Sequence, residues 1–220
     1  MRTVTPIDPT QFVQLVQPLL ASKDLQGLCH LLKTRWTPEQ ILDLIRCGDI
    51  DARKVALLAA GLVGPVCCAC QIADSLRDPD RLINDLAEHA LWSIWFRGGK
   101  TPEANKQLAR GCEAITRRDF TAADGCFNEA LRIDPEFAEA YNQRALSNYL
   151  QENFESSIVD CKQVVKRMPC HFGAWAGMGH CYAHLGDLQR AVESYERALE
   201  VNPHLDCVRE AVDELRNKLG

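Results

Sequence analysis

The chain has 220 residues, 46% of them hydrophobic and 25% charged, with a formal net charge of −5. Those values suit a globular protein with room for one large or two small cores. They argue against a general nucleic-acid binder, which needs a basic face, and no apolar run reaches the ~18 to 20 residues of a membrane span. The charge is uneven: residues 1 to 100 carry 11 basic and 11 acidic side chains, and 101 to 220 carry 14 and 19.

The opening MRTVTPIDPTQF lacks the basic and apolar stretches of a secretory signal. Eleven cysteines is an odd number with no paired framework. Most stand where a small apolar residue would pack, which predicts reduced thiols and a cytoplasmic location.

Three short helices open the chain: DPTQFVQLVQPLL, DLQGLCHLLKTR and TPEQILDLIRCG, each begun by Asp or Thr-Pro start chemistry. Two longer helical segments follow, IDARKVALLAAGLVG from Ile50 and PDRLINDLAEHALWS from Pro79, and they align at an offset of 29 residues. Asp49 then matches Asp78, Asp51 matches Asp80, Leu57 matches Leu86, and Gly61-Leu62 matches Ala90-Leu91. Between them CCACQIADSLRD is expected to supply a partner helix. The aspartate-bearing turn followed by a helix with Ala/Gly-Leu near its end resembles the short HEAT-like repeat. Trp92, Trp95 and Phe96 close this half as an apolar cluster, and GGKTP at 98 to 102 breaks the chain.

Beyond the break a second period appears. Pro135, Pro169 and Pro203 lie 34 residues apart, each closing a segment with helical apolar spacing. Windows from Ala104, Ala138 and Phe172 align like with like. The third carries Trp175, Gly179, Tyr182, Ala191, Tyr195, Ala198 and Pro203; the first keeps Gly111, Ala123, Phe127, Ala130 and Pro135. The second keeps Tyr141, Ala145 and Pro169, with Ser157, Cys161 and Val164 at the small-aromatic-small trio. These residues resemble the signature of the tetratricopeptide repeat.

The resemblance implies an all-α fold, an α-solenoid or α-α superhelix. HEAT-like helices over 1–99 would precede a three-repeat array over 100–220, with repeats at about 104–137, 138–171 and 172–205. Leu205, Val208, Val212, Leu215 and Leu219 form one stripe of a capping helix over 205–219. The resemblance also implies a concave groove lined by the first helix of each repeat. Its positions here hold Asn105, Leu108, Ala109, Cys112, Ile115 and Thr116; then Glu139, Asn142, Gln143, Leu146, Tyr149 and Leu150; then Gly173, Ala176, Gly177, His180, Ala183 and His184. A peptide with apolar anchors would suit that floor, with Asn142 and Gln143 bonding its backbone. The family's carboxylate clamp needs Lys, Arg or Asn where this chain has Leu108, Cys112, Gln143, Gly173 and Gly177. No Hsp70/Hsp90-type tail recognition is therefore expected.

No GxSxG, P-loop or GxGxxG occurs, so a non-enzymatic protein-binding scaffold without cofactor is expected, with neither nucleic acid nor membrane as partner. The run Cys67-Cys68-Ala69-Cys70 lacks the second ligand pair of a zinc site. His180 and His184, four apart in GHCYAH, share a helix face, while Cys181 at repeat position 10 points into helix packing. His171 lies nine residues before His180, ~13 Å along a helix axis. With no third ligand in reach, no metal site is expected. A metal- or pH-responsive role for the two histidines, and self-association of the solenoid, are the alternatives.

Overall fold

A computed structural model describes residues 6–219; residues 1–5, which open the stretch weighed as a secretory signal, and Gly220 lie outside the described residues. Its described residues are helical with no strand. By contacts the chain divides into two compact units, Met1–Trp95 and Phe96–Gly220.

The first unit holds α1 (Pro9–Ala21), α2 (Leu25–Arg35), α3 (Pro38–Cys47), α4 (Ile50–Val63), α5 (Ala69–Ala73) and α6 (Arg81–Phe96, whose last residue falls in the second unit). Its starts follow local chemistry. Asp8, Asp24, Thr37 and Asp49 each accept a bond from the backbone N–H three residues on, satisfying a donor the helix cannot pair itself. Thr37 and Gln40 complete a reciprocal capping box. Phe12, Leu28, Leu32, Ile45, Leu57, Ile72, Leu76, Ile83 and Leu91 form the buried core. The aligned positions Gly61 and Ala90 face one another, since a Cβ on Gly61 would stand 3.2 Å from the Ala90 Cα.

The CCAC segment differs from the single helix expected. A 3-10 turn (Val66–Cys68), the short α5 and a second 3-10 turn (Asp74–Arg77) replace it. Buried Asn84 explains the ending, because its amide donates to the carbonyls of Ser75 (3.1 Å) and Asp78 (2.9 Å). Those carbonyls are thus satisfied without a continuing helix.

The second unit is three helical hairpins and a last helix: α7 (Pro102–Thr116) with α8 (Phe120–Ile133), α9 (Ala138–Leu150) with α10 (Phe154–Arg167), α11 (Phe172–His184) with α12 (Leu188–Val201), and α13 (Asp206–Leu219). Each hairpin turn places one residue in the left-handed region at the same point of the period: Arg118 and Glu152 at φ 60, Gly186 at φ 78.

Within a hairpin, close approach depends on a small-large pair. A Cβ on Gly111 would lie 2.3 Å from the Phe127 ring, and one on Gly179 2.4 Å from the Tyr195 ring. At the equivalent point the second hairpin pairs Ala145 with Cys161, adding a methyl where it removes a ring. Burying Phe127 completely stabilises the first hairpin by about 1.5–3 kcal/mol. Polar ties add specificity. Arg144 chelates Asp160 through Nε (2.8 Å) and Nη2 (2.6 Å), while its Nη1 donates to Asn128. The ion pair leaves Arg144 half-buried.

Candidate functional site

The expected groove positions lie on the first helices of the three hairpins, α7, α9 and α11, and their environments differ sharply. Leu108 is buried in the core and Cys112 is half-buried. Burial, with the nearby Glu139 carboxylate, pushes the Cys112 thiol up to about 11. The Asn105 amide is committed to the chain entering α7: its Oδ1 accepts from Gly99 N–H and its Nδ2 donates to the Gly99 carbonyl, both at 3.0 Å.

Glu139 and Gln143 do not face solvent. Glu139 is 1% exposed and Gln143 8%. The Gln143 amide donates to Glu139 Oε1 at 2.6 Å, and the half-buried Asn142 amide donates to the same oxygen at 3.1 Å. The second carboxylate oxygen meets Nε2 of the fully buried His171 at 3.0 Å. His171 Nδ1 accepts from the Ala174 N–H at 3.1 Å and so caps α11. That acceptor role leaves Nε2 as the nitrogen that donates toward Glu139. Two amides expected to bond a ligand backbone are therefore largely consumed in supporting α9 and α11. His171 was set aside in sequence as too far along the axis from His180; its position directly before α11, where caps stand, was the available signal.

The remaining positions converge. Leu146 and Leu150, one turn apart on α9, are 41% and 42% exposed despite being apolar. Tyr149 stands beside them, its hydroxyl sharing a hydrogen bond with His184 Nε2 at 3.0 Å. Phe154, from the start of α10, stacks on the His184 ring at 4.7 Å and 7°. Tyr149 also packs near Phe154 (5.7 Å) and His180 (6.3 Å). The Tyr195 hydroxyl meets His180 Nδ1 at 2.7 Å. Desolvation against these rings, and then the neighbouring His184, hold His180 below its ordinary 6.5, so it is neutral at pH 7. Burial raises Tyr195 to about 12 and keeps its hydroxyl protonated. Phe154, and the contact of the signature residue Tyr195 with His180, escaped the sequence reading because both lie on second helices, outside the groove register. Ala176 is half-buried on α11. Cys181 is fully buried, its thiol 3.2 Å from Ser157 Oγ, in keeping with packing at position 10. Beyond His184 a cleft continues onto the last helix between Ala183, Leu188, Ala211 and Leu215, with Glu214 and Lys218 at its edge. Among the described residues no three His, Cys, Asp or Glu side chains cluster to hold a metal.

Tetratricopeptide repeat models match residues 108–167 and 173–205. A TPR repeat-containing protein of Rhizobium etli is 31% identical over 144 residues, covering 66% of this chain and 69% of that protein. The chain belongs to the tetratricopeptide repeat family. This family's modules are generally non-enzymatic and mediate protein interactions. A small glutamine-rich tetratricopeptide repeat-containing protein of Mycosarcoma maydis is 26% identical over 54% of the chain, which spans only 34% of that protein's length. Among solved structures the first TPR of Spaghetti (RPAP3) bound to the HSP90 peptide SRMEEVD shares the fold at a TM-score of 0.52 and 20% identity, covering 53% of this chain and 93% of that one. The Sgt2 TPR domain of Aspergillus fumigatus does so at 0.52 and 23%, covering 54% and 80%.

These comparisons correct one expectation. The chain was expected to be closed to Hsp70/Hsp90-type tails, yet the domains sharing its fold include one in complex with such a peptide. A relative in Aspergillus fumigatus, 24% identical over 56% of the chain and spanned by it for 36% of its length, is a heat-shock protein cognate co-chaperone. The expectation rested on side-chain types at five positions. Lys106 and Arg110 are exposed on α7 outside those five positions, and Lys218 on α13 is paired with Glu214.

Proposed function

We propose that this protein is a non-enzymatic adaptor that holds a partner's peptide segment against the face formed by α9 and α11. The observation that carries this reading is the exposure of Leu146 and Leu150, two large apolar side chains one turn apart, flanked by Tyr149, His180 and His184. Exposed apolar clusters rimmed by polar groups suit peptide anchors. Acidic tails like the peptide named in the neighbouring structure set a valine beside the terminal aspartate, so an apolar anchor and a carboxylate arrive together. Tails of this class are the first ligands to test. The N-terminal unit, read as HEAT-like, would then be a second helical element of the same scaffold, and a cytoplasmic setting goes with this role.

The test is capture of partners from native lysate with the wild-type protein and with Leu146→Asp/Tyr149→Ala, followed by titration of a fluorescent tail peptide. The double variant should lose the partners and weaken the peptide at least tenfold, as anchor removal does. Unchanged capture and affinity in a folded double variant would remove this face from the account.

A further inference from the structure

The N-terminal unit carries a pocket that the proposed peptide face does not use. Leu32 from α2, Trp36 just after it, Pro38, Ile41 and Leu42 from α3, and Ala60, Val63 and Cys68 line about 160 Å³. The wall is apolar except at Lys33, the one charged side chain lining it. Cys68 adds no charge, because burial, then its neighbour Cys67 and the Glu39 carboxylate push its thiol up to about 11; Glu39 itself does not line the pocket. Lys33 is exposed and makes no ion pair among the described residues, whereas its neighbour Arg35 lies over the Trp36 ring at 5.7 Å. Trp36 is itself held edge-on by Phe12 at 4.7 Å, which fixes one wall.

Size and charge together narrow the occupant. A dry apolar space of this volume accepts roughly six non-hydrogen atoms, as an engineered cavity of ~150 Å³ accepts benzene. Lys33, exposed and on the pocket wall, can bring its ammonium to an anionic end that stays in water while the apolar body enters. We propose that this pocket binds a small aromatic or branched carboxylic acid, its hydrocarbon among Leu32, Ile41, Leu42, Ala60 and Val63 and its carboxylate at Lys33.

Benzoate is the probe and toluene its uncharged counterpart, titrated calorimetrically into the full chain. Benzoate should saturate with a Kd of about 1 mM or tighter, and toluene should bind at least fivefold more weakly. Lys33→Gln should abolish that preference, and Ala60→Leu, which adds three carbons to the pocket, should abolish binding of both. Intermolecular NOEs from the benzoate ring to Leu32, Ile41 and Val63 methyls should appear in the unmutated protein, so the proposal stays testable if Ala60→Leu fails to fold. Absence of saturable benzoate binding, equal affinity for toluene, or NOEs to other residues would each overturn it.

Discussion

Gly179→Ala should destabilise the protein although alanine is the better helix former. In an unconstrained helix the exchange gains about 0.5–1 kcal/mol. Here the new Cβ would lie 2.4 Å from Tyr195 Cδ1, 2.5 Å from Cε1 and 2.9 Å from Cγ. No carbon pair tolerates such distances, and the ring has little room to yield: Tyr195 is 2% exposed and its hydroxyl is tied to His180. Overpacking of this kind costs about 1–3 kcal/mol, so the net loss reaches about 2 kcal/mol, or roughly 4–8 °C in Tm for a chain of this size. The second hairpin shows what relieves it, since Ala145 there is paired with Cys161. In a Tyr195→Cys background the same Gly179→Ala change should therefore turn stabilising, by about 0.5–1 kcal/mol. Thermal and urea unfolding of the four proteins of this cycle give the coupling directly. Equal effects of Gly179→Ala in both backgrounds would refute the packing argument.

The hairpin turns make a second prediction. Arg118→Gly and Glu152→Gly should each raise stability by about 0.5–1 kcal/mol and Gly186→Ala should lower it by about 1, because these positions sit at positive φ; urea midpoints check the signs. For the histidine face, the depressed value of His180 means that the unfolded chain takes up its proton first as pH falls below 6.5. The associated stability is complete above pH 6.5 and is lost as pH falls through the lower folded value, so His180→Gln should flatten the Tm profile below pH 6.5; an unaltered slope would count against it. Thiol labelling at pH 8 should modify exposed Cys47, Cys67 and Cys207 quickly and reach Cys161 and Cys181 only on unfolding. Cys161, raised by burial from 9.0 to about 12, should also make the protein less stable as pH rises above 9, where only the unfolded thiol ionises.

The repeat architecture was legible because it depends on local, periodic chemistry: prolines closing the hairpins, glycine against ring at Gly111–Phe127 and Gly179–Tyr195, and small residues where helices meet. Even the degenerate second repeat obeys the rule, since its missing ring coincides with its missing glycine. Groove register named Leu146, Tyr149, Leu150, His180 and His184, of which Tyr149 is half-buried and the others are exposed. It could not show that Glu139 and Gln143 turn inward, because their partner His171 is 32 residues from Glu139 and belongs to the next hairpin's cap. A register assigns a face to each residue; whether a polar side chain on that face is spent internally depends on a long-range partner. The same limit applies in the first unit, where the amide of Asn84 ends the CCAC segment from another helix.

Backbone amide and methyl shift mapping with a labelled protein and an unlabelled SRMEEVD peptide tests the central claim most directly. The account predicts saturable changes concentrated on Leu146, Tyr149, Leu150, Ala176, His180 and His184, with the Leu146 and Leu150 methyls moving most. Saturable binding whose changes map to the second helices α8, α10 and α12 instead would contradict it.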